Sequence, residues 1–108
     1  MKNQEFFVEN NQVTANLSGN LQGELAAKIR ETLLTYIDNG HASLKVDFSN
    51  VTNIDSTGLG ILVTIQKRSL QNGGNMVLQG LQGNVKAAFD RTRLSKAFSI
   101  TDVNSSVA

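Results

Sequence analysis

The chain has 108 residues, of which 40% are hydrophobic, a size and composition typical of one small globular domain with a modest core. Ten basic and nine acidic residues give a net charge of +1, and the basic residues are dispersed, so we expect no nucleic-acid partner. The absence of cysteine excludes disulfides, a thiolate zinc site and a cysteine nucleophile. The sequence contains no signal-peptide pattern and no apolar run of about 18 residues, so we expect a cytoplasmic protein without membrane insertion.

The first half of the chain predicts a hairpin, a helix and a strand. Residues 5–9 and 12–18 read as two short antiparallel strands around Asn10 and Asn11. Apolar residues then recur every fourth position and predict an amphipathic helix over residues 21–37, which Asn39 and Gly40 end. Alternating Leu44, Val46 and Phe48 predict a third strand, followed by a turn over residues 49–54.

The second half predicts alternating helices and strands. We expect a helix over residues 57–71, a strand over 76–79, a helix over 85–91 that Asn84 caps, and a fifth strand or edge segment over 98–100. The tail, residues 101–108, has little to bury. Strand–helix alternation favours parallel pairing, whereas the opening hairpin is antiparallel. The expected fold is a single α/β domain over residues 1–108, with a mixed four- to five-stranded sheet and helices packed mainly on one face.

Residues 55–60 lie where a strand gives way to a helix and read Asp-Ser-Thr-Gly-Leu-Gly. The N-terminus of a helix leaves backbone N–H groups unpaired and carries partial positive charge. A hydroxyl at Ser56 can therefore cap the helix or carry a phosphate that the helix dipole helps to stabilise. Asp55 is a second candidate N-cap, and Thr57 is a neighbouring hydroxyl whose own role is capping or modification. This position offers a two-state switch.

Two glycines in the first turns of this helix need an explanation. Each glycine in a helix interior costs about 1 kcal/mol relative to alanine, so Gly58 and Gly60 do not serve local stability. Either another part of this chain packs closely against them, or a partner or a phosphate approaches there. The helix is also apolar nearly all round in its first half, which indicates either two buried faces or an exposed protein-binding patch.

Residues 54–63, read together with Leu-Lys-Val-Asp-Phe-Ser at 44–49, resemble the signature of STAS domains, and specifically of bacterial anti-sigma factor antagonists. The resemblance implies a partner-switching regulator without a cofactor, monomeric when free. Unphosphorylated, it would bind an anti-sigma factor that is itself a GHKL-type serine kinase. Phosphorylated on Ser56, it would release that kinase until a PP2C-type serine phosphatase restored the hydroxyl.

The resemblance also implies a set of roles around Ser56. The residues expected at the partner interface are Asp55, Ser56, Thr57, Gly58, Leu59, Gly60 and Val63. The residues expected to face the core are Ile61, Leu62 and Ile65. Many family members carry acidic residues where this chain reads Gly-Asn-Leu-Gln at 19–22, so the sequence leaves the identity of the partner open.

The partner-switching function has alternatives. A STAS subunit that docks on a membrane lipid transporter through the same helix, without phosphorylation, is the principal alternative. A receiver-like domain phosphorylated on Asp55 is a second alternative. This chain, however, lacks an acidic pair near the first strand, which argues against it. The sole histidine, His41, lies in a predicted loop and has no nucleophile beside it, and Asp47 and Asp55 are two carboxylates without further metal ligands. We therefore expect neither catalysis nor a metal site.

Overall fold

A hairpin and three helix–strand units follow one another in the computed structural model, which describes residues 4–101. The strands are β1 (Glu5–Glu9), β2 (Gln12–Leu21), β3 (Ser43–Ile54), β4 (Met76–Gln79) and β5 (Ser99–Thr101), and the helices are α1 (Gly23–Asp38), α2 (Ser56–Gln71) and α3 (Gly83–Arg91), with a 3₁₀ turn at Leu94–Lys96. The predicted tail beyond Thr101 lies outside the described residues.

The five strands form one mixed sheet in the order β1-β2-β3-β4-β5. β1 and β2 are antiparallel, and Asn10 and Asn11 join them with φ values of 51° and 65°. Asparagine tolerates this left-handed conformation, which the tight turns of hairpins require. The remaining neighbours pair in parallel, so the predicted combination of a hairpin with parallel crossovers is confirmed.

The core lies on one face of the sheet. Along residues 12–17 of β2, 43–48 of β3 and 76–79 of β4 every second side chain is buried, and the residues between them are only partly covered. The three helices of the described chain pack on the buried face; Phe89 of α3, for example, meets Phe48 of β3 and Phe98 edge-on, with ring centroids 6.1 and 5.7 Å apart. Burying a large apolar side chain stabilises a fold by about 1.5–3 kcal/mol, so this face dominates the stability. Helix packing on one face is confirmed.

Two boundaries at the end of β2 and β3 differ from the prediction. The predicted turn over residues 49–54 is wrong, because β3 continues to Ile54 and pairs with the end of β2, Leu21 opposite Ile54. This extension projects beyond β4, whose pairing with β3 ends at Asp47. Leu21 accordingly belongs to β2, and α1 begins at Gly23 rather than at residue 21. We call the paired segments, residues 18–21 and 50–54, the β2–β3 arm.

Two further details also differ. α3 begins at Gly83, and Gln82 occupies the N-cap position without a side-chain capping bond, so Asn84 is not the cap. Asn84 instead donates from Nδ2 to Asn53 Oδ1, 3.2 Å away in the arm. The last strand is Ser99–Thr101, one residue later than predicted, because Phe98 turns into the core before the strand begins. The predicted end of α2 at Gln71 is confirmed, and α1 ends at Asp38, one residue after the predicted end.

Candidate functional site

Helix α2 begins at the carboxyl edge of the sheet and is capped by Asp55. Asp55 Oδ1 accepts a hydrogen bond from the backbone N–H of Gly58 at 2.8 Å, and the Asp55 carbonyl accepts one from Leu59 at 3.0 Å. An aspartate at this position satisfies one of the unpaired N–H groups of the first turn and places negative charge at the positive end of the helix dipole. The carboxylate of Asp55 therefore fixes where the helix begins.

Ser56 is the first residue of α2 and is exposed, as is Thr57 after it. Within residues 4–101 the Ser56 hydroxyl has no hydrogen-bond partner. The backbone N–H groups of the first helical residues lack an acceptor inside the helix, and Asp55 satisfies only that of Gly58. The Ser56 hydroxyl therefore stands in water beside unpaired donors, where an anion is favoured.

The two glycines near Ser56 have different surroundings. A Cβ at Gly58 would lie 2.5 Å from the Leu21 carbonyl oxygen and 2.8 Å from Ile54 Cγ1, so Gly58 lets α2 pack directly on the β2–β3 arm. A Cβ at Gly60 would meet nothing within 4 Å, and Gly60 is exposed. Close packing within the chain explains Gly58, whereas nothing inside residues 4–101 requires a glycine at position 60.

The burial of α2 corrects part of the predicted split between core and interface. Leu59 is only 5% exposed and belongs to the core, so its expected place at a partner surface is wrong. Leu62 and Ile65 are fully buried, as expected, while Ile61 and Val63 are both partly buried. The helix is apolar all round because it is covered on two sides: it packs on the sheet and alongside α1. The exposed surface beside Ser56 is accordingly small and polar rather than an apolar patch.

A chain of amide side chains crosses the β2–β3 arm next to the start of α2. Asn20 Oδ1 accepts hydrogen bonds from Thr52 Oγ1 at 2.9 Å and from Asn53 Nδ2 at 3.2 Å, and Asn53 Oδ1 accepts one from Asn84. All four residues are exposed. The sequence did not predict this group because each of its hydrogen bonds joins residues more than thirty positions apart. The only signal was the richness of residues 49–54 in polar side chains, which we read as a turn.

Asp47 lies on the uncovered face of the sheet, where β3 leaves β4. Partial burial acts to raise the pKa of this carboxyl, but hydrogen bonds from Ser49 and Gln79 outweigh it, and Lys45 adds attraction, so the pKa is lowered overall. Asp47 Oδ1 accepts from the Ser49 N–H at 2.7 Å and Oδ2 accepts from Gln79 Nε2 at 3.0 Å. Asp47 thus holds the turn at the end of β4 against β3.

The remaining candidate residues do not converge. Asp47 and Asp55 are eight positions apart along an extended segment, and at about 3.3 Å per residue they lie too far apart to share an ion. Among the described residues no three His, Asp or Glu side chains cluster as metal ligands would. His41 lies at the opposite edge, with Nδ1 3.2 Å from Asn11 Oδ1 and its ring 6.3 Å from that of Tyr36, so it joins the hairpin turn to α1. None of the helices within residues 4–101 has the length and apolarity to cross a bilayer.

The mixed sheet, the helices on one face and the capped helix that begins with an exposed serine define a regulatory domain of the STAS class. A family model described as STAS domain matches residues 7–108, and the chain belongs to this family, among the anti-sigma factor antagonists. The anti-sigma-B factor antagonist of Bacillus subtilis (strain 168) is 31% identical over 91 residues, which cover 84% of this chain and 83% of that protein. The resemblance seen in the sequence is therefore confirmed.

Solved structures support the same fold. A crystal structure of a candidate anti-sigma factor antagonist from Thermotoga maritima superposes with a TM-score of 0.87 at 23% identity, covering 96% of this chain and 90% of that one. SpoIIAA is similar in its unphosphorylated form, with a TM-score of 0.78, 18% identity and coverage of 94% and 89%. The phosphorylated form of SpoIIAA from Bacillus gives 0.74, 18% identity and coverage of 97% and 96%. At these identities the likeness defines the fold alone.

Proposed function

We propose that this protein is an anti-sigma factor antagonist that binds an anti-sigma factor of the GHKL serine-kinase type when Ser56 is unmodified. Phosphorylation of Ser56 by that kinase releases the complex, and a PP2C-type serine phosphatase restores the hydroxyl. The observation that carries the proposal is the Ser56 hydroxyl, exposed and without a partner among the described residues, on the first turn of a capped helix. The family of the chain and its relatives support the anti-sigma factor antagonist part of the proposal.

In the phosphoryl transfer, this chain has only to expose the Ser56 hydroxyl to the kinase. Ser56 Oγ forms a bond to the γ-phosphorus of ATP held by the kinase, the bond from that phosphorus to the β,γ-bridging oxygen breaks, and ADP leaves. The hydroxyl proton passes to a base on the kinase. Hydrolysis by the phosphatase returns the serine and releases inorganic phosphate.

The charge balance explains how phosphorylation breaks the complex without unfolding the protein. In the free protein a phosphate of charge about −1.5 to −2 lies in water, at the positive end of the α2 dipole and near unpaired N–H groups. In a complex the same charge is desolvated and faces the negative charge of Asp55. The free protein therefore tolerates the phosphate, whereas the complex does not.

The test uses the protein purified from its own host, with intact-mass and fragment mapping of Ser56. Ser56→Ala and Ser56→Asp serve as baits in parallel pull-downs, and Thr57→Ala is the matched neighbouring control. We expect phosphate on Ser56, a GHKL kinase retained by the alanine and Thr57→Ala baits, and its loss from the aspartate bait. Absence of phosphate in every growth condition, with a transporter ATPase or permease held equally by all baits, would instead make the protein a constitutive docking subunit.

A further inference from the structure

The dipeptide Asn-Gly stands directly after each of the two longer helices, far along the chain from Ser56 in both cases. Asn39 and Gly40 follow α1 and lead into β3, while Asn72 and Gly73 follow α2 and lead into β4, at the edge where these parallel strands begin. An asparagine is chemically labile when glycine follows it, because glycine has no side chain to keep its backbone nitrogen away from the asparagine amide. The two dipeptides are therefore candidate sites of spontaneous modification.

The backbones of the two helix ends are alike. Both glycines have a positive φ, 97° at Gly40 and 82° at Gly73. The glycine N–H donates to the carbonyl three residues before it, at 3.0 Å after α1 and 3.1 Å after α2, and the N–H of the next residue donates to the carbonyl five residues before it, at 2.9 Å in both. This pattern is the Schellman motif, which glycine favours. Backbone geometry therefore does not distinguish the two sites.

The side chains of the two asparagines differ, although both residues are exposed. Asn72 Nδ2 donates to the Arg68 carbonyl at 2.8 Å, which holds the amide over the last turn of α2. The Asn39 side chain has no hydrogen bond to any other residue within 4–101. Modification requires the side-chain carbon Cγ to approach the nitrogen of the following glycine. Asn72 must give up a hydrogen bond before this approach, whereas Asn39 is free to make it.

We propose that Asn39 is a site of spontaneous deamidation in the folded protein, and that the hydrogen bond to the Arg68 carbonyl protects Asn72. The Gly40 nitrogen gives its proton to solvent and forms a bond to Asn39 Cγ; the bond from Cγ to Nδ2 breaks, and Nδ2 leaves as ammonia with a proton from water. The cyclic imide that remains takes up one water molecule. It opens either to aspartate or to isoaspartate, in which the main chain runs through the side-chain carbon.

Deamidation weakens the end of α1 because position 39 does not favour a carboxylate. The C-terminal end of a helix carries partial negative charge, and the preceding residue, Asp38, is itself a carboxylate that pairs with Arg68 at 3.1 Å. The isoaspartyl product also lengthens the main chain before His41, whose N–H closes the turn on the Tyr36 carbonyl. Both products therefore lower the stability of the protein as it ages.

The test follows the purified full chain during incubation at mildly alkaline pH, with peptide mapping that separates the asparagine, aspartate and isoaspartate forms of each site. The same chain in guanidinium chloride is the reference, because both dipeptides then react without the fold. We expect the ratio of the Asn39 rate to the Asn72 rate to be about threefold or more higher in the folded chain than in the unfolded chain, since one hydrogen bond holds Asn72. No partner takes part, so the outcome is independent of the proposed function.

Asn39→Ser and Asn72→Ser are matched controls, because serine has no side-chain amide to lose. In the folded chain Asn39→Ser should remove most of the acidic product formed at the two sites, and Asn72→Ser should remove little of it. Asn39→Asp represents the aspartate product, and its Tm should fall by about 2–5 °C. An equal rate ratio in the folded and unfolded chains would overturn the inference, as would an Asn39 that stays intact in the folded chain while the unfolded chain reacts. An unchanged Tm would overturn the effect on α1.

Discussion

Each end of helix α2 has a serine and a closely packed glycine, but the two serines differ in burial and in hydrogen bonding. At the C-terminal end Ser69 is fully buried and donates from Oγ to the Ala42 carbonyl at 2.5 Å, while Gly74 packs against the backbone of Ala42 with no room for a Cβ. At the N-terminal end Gly58 packs just as closely, but Ser56 is exposed and its hydroxyl is unused within the described residues. Tight packing holds both ends, and only the N-terminal end leaves a reactive group free.

The two ends also differ in charge. Beside the C-terminal end, Arg68 of α2 pairs with Asp38 of α1 at 3.1 Å, both side chains being well exposed. Such a pair is worth about 0–1 kcal/mol and closes the surface between the helices. At the N-terminal end the Asp55 carboxylate caps the helix by accepting from the Gly58 N–H. The buried serine at the ion-paired end is part of the structure, whereas the exposed serine at the capped end is available to a partner.

The largest expected effect concerns the packing of the N-terminal end. Gly58→Ala places a methyl group against the Leu21 carbonyl and Ile54, so α2 and the β2–β3 arm must separate. Overpacking against backbone destabilises by about 2–3 kcal/mol. Chemical denaturation monitored by circular dichroism measures this free energy of unfolding.

Gly60→Ala is the matched control for this change. Nothing lies within 4 Å of a Cβ at position 60, so replacing a helical glycine should raise the free energy of unfolding by about 0.5–1 kcal/mol. Equal destabilisation by both substitutions would contradict the distinction between the two glycines.

The second largest effect is expected at Ser69 and is compared with that at Ser56. Ser69→Ala removes the donor to the buried Ala42 carbonyl and should lower the free energy of unfolding by about 1–2 kcal/mol. Ser56→Ala removes an exposed hydroxyl and should stay within about 0.5 kcal/mol of the unaltered chain. The same denaturation experiment measures both variants. If Ser56→Ala cost as much as Ser69→Ala, the Ser56 hydroxyl would have a structural role, and the contrast between the two ends would fail.

Sequence patterns predicted the elements of this fold better than the relations between them. Periodicity and stop signals gave the order of strands and helices, and they gave the ends of α1 and α2, because these depend on neighbouring residues. The extension of β3 was missed because Asn50, Thr52 and Asn53 are polar and read as a turn, whereas they are exposed residues of an arm in which Val51 is buried. Pairing with β2 is what makes this segment a strand.

At the candidate site, too, local features were predicted from the sequence and contacts between distant residues were not. The position of Ser56 at the start of a helix and the capping role of Asp55 were predicted from a few consecutive residues. The burial of Leu59 was not, because the first half of α2 is apolar nearly all round and only its packing between the sheet and α1 decides which residues are covered. The bond from Asn84 to Asn53 joins residues 31 positions apart, so no local pattern could indicate it.

The smallest expected effect is a difference between the two edges of the sheet in how their stability depends on pH. The pKa of Asp47 is lowered in the folded state, so its contribution to stability is complete above the pKa of an unfolded aspartate, about 3.9. That contribution is lost as the pH falls through the lower folded value. Asp47→Asn should cost less than about 1 kcal/mol at neutral pH and should flatten the fall in stability below about pH 4.

Denaturation at a series of pH values measures this slope, and amide hydrogen exchange locates it. We expect acid to lower the protection of backbone amides, relative to their intrinsic exchange rate at each pH, first around the Ser49 N–H that Asp47 accepts from and later around Ser69 and Ala42. The contact at the far end joins a hydroxyl to a carbonyl, and neither group titrates in this range. An unchanged acid slope in Asp47→Asn would mean that the Asp47 hydrogen bonds do not hold the carboxyl edge, and the pH contrast between the edges would disappear.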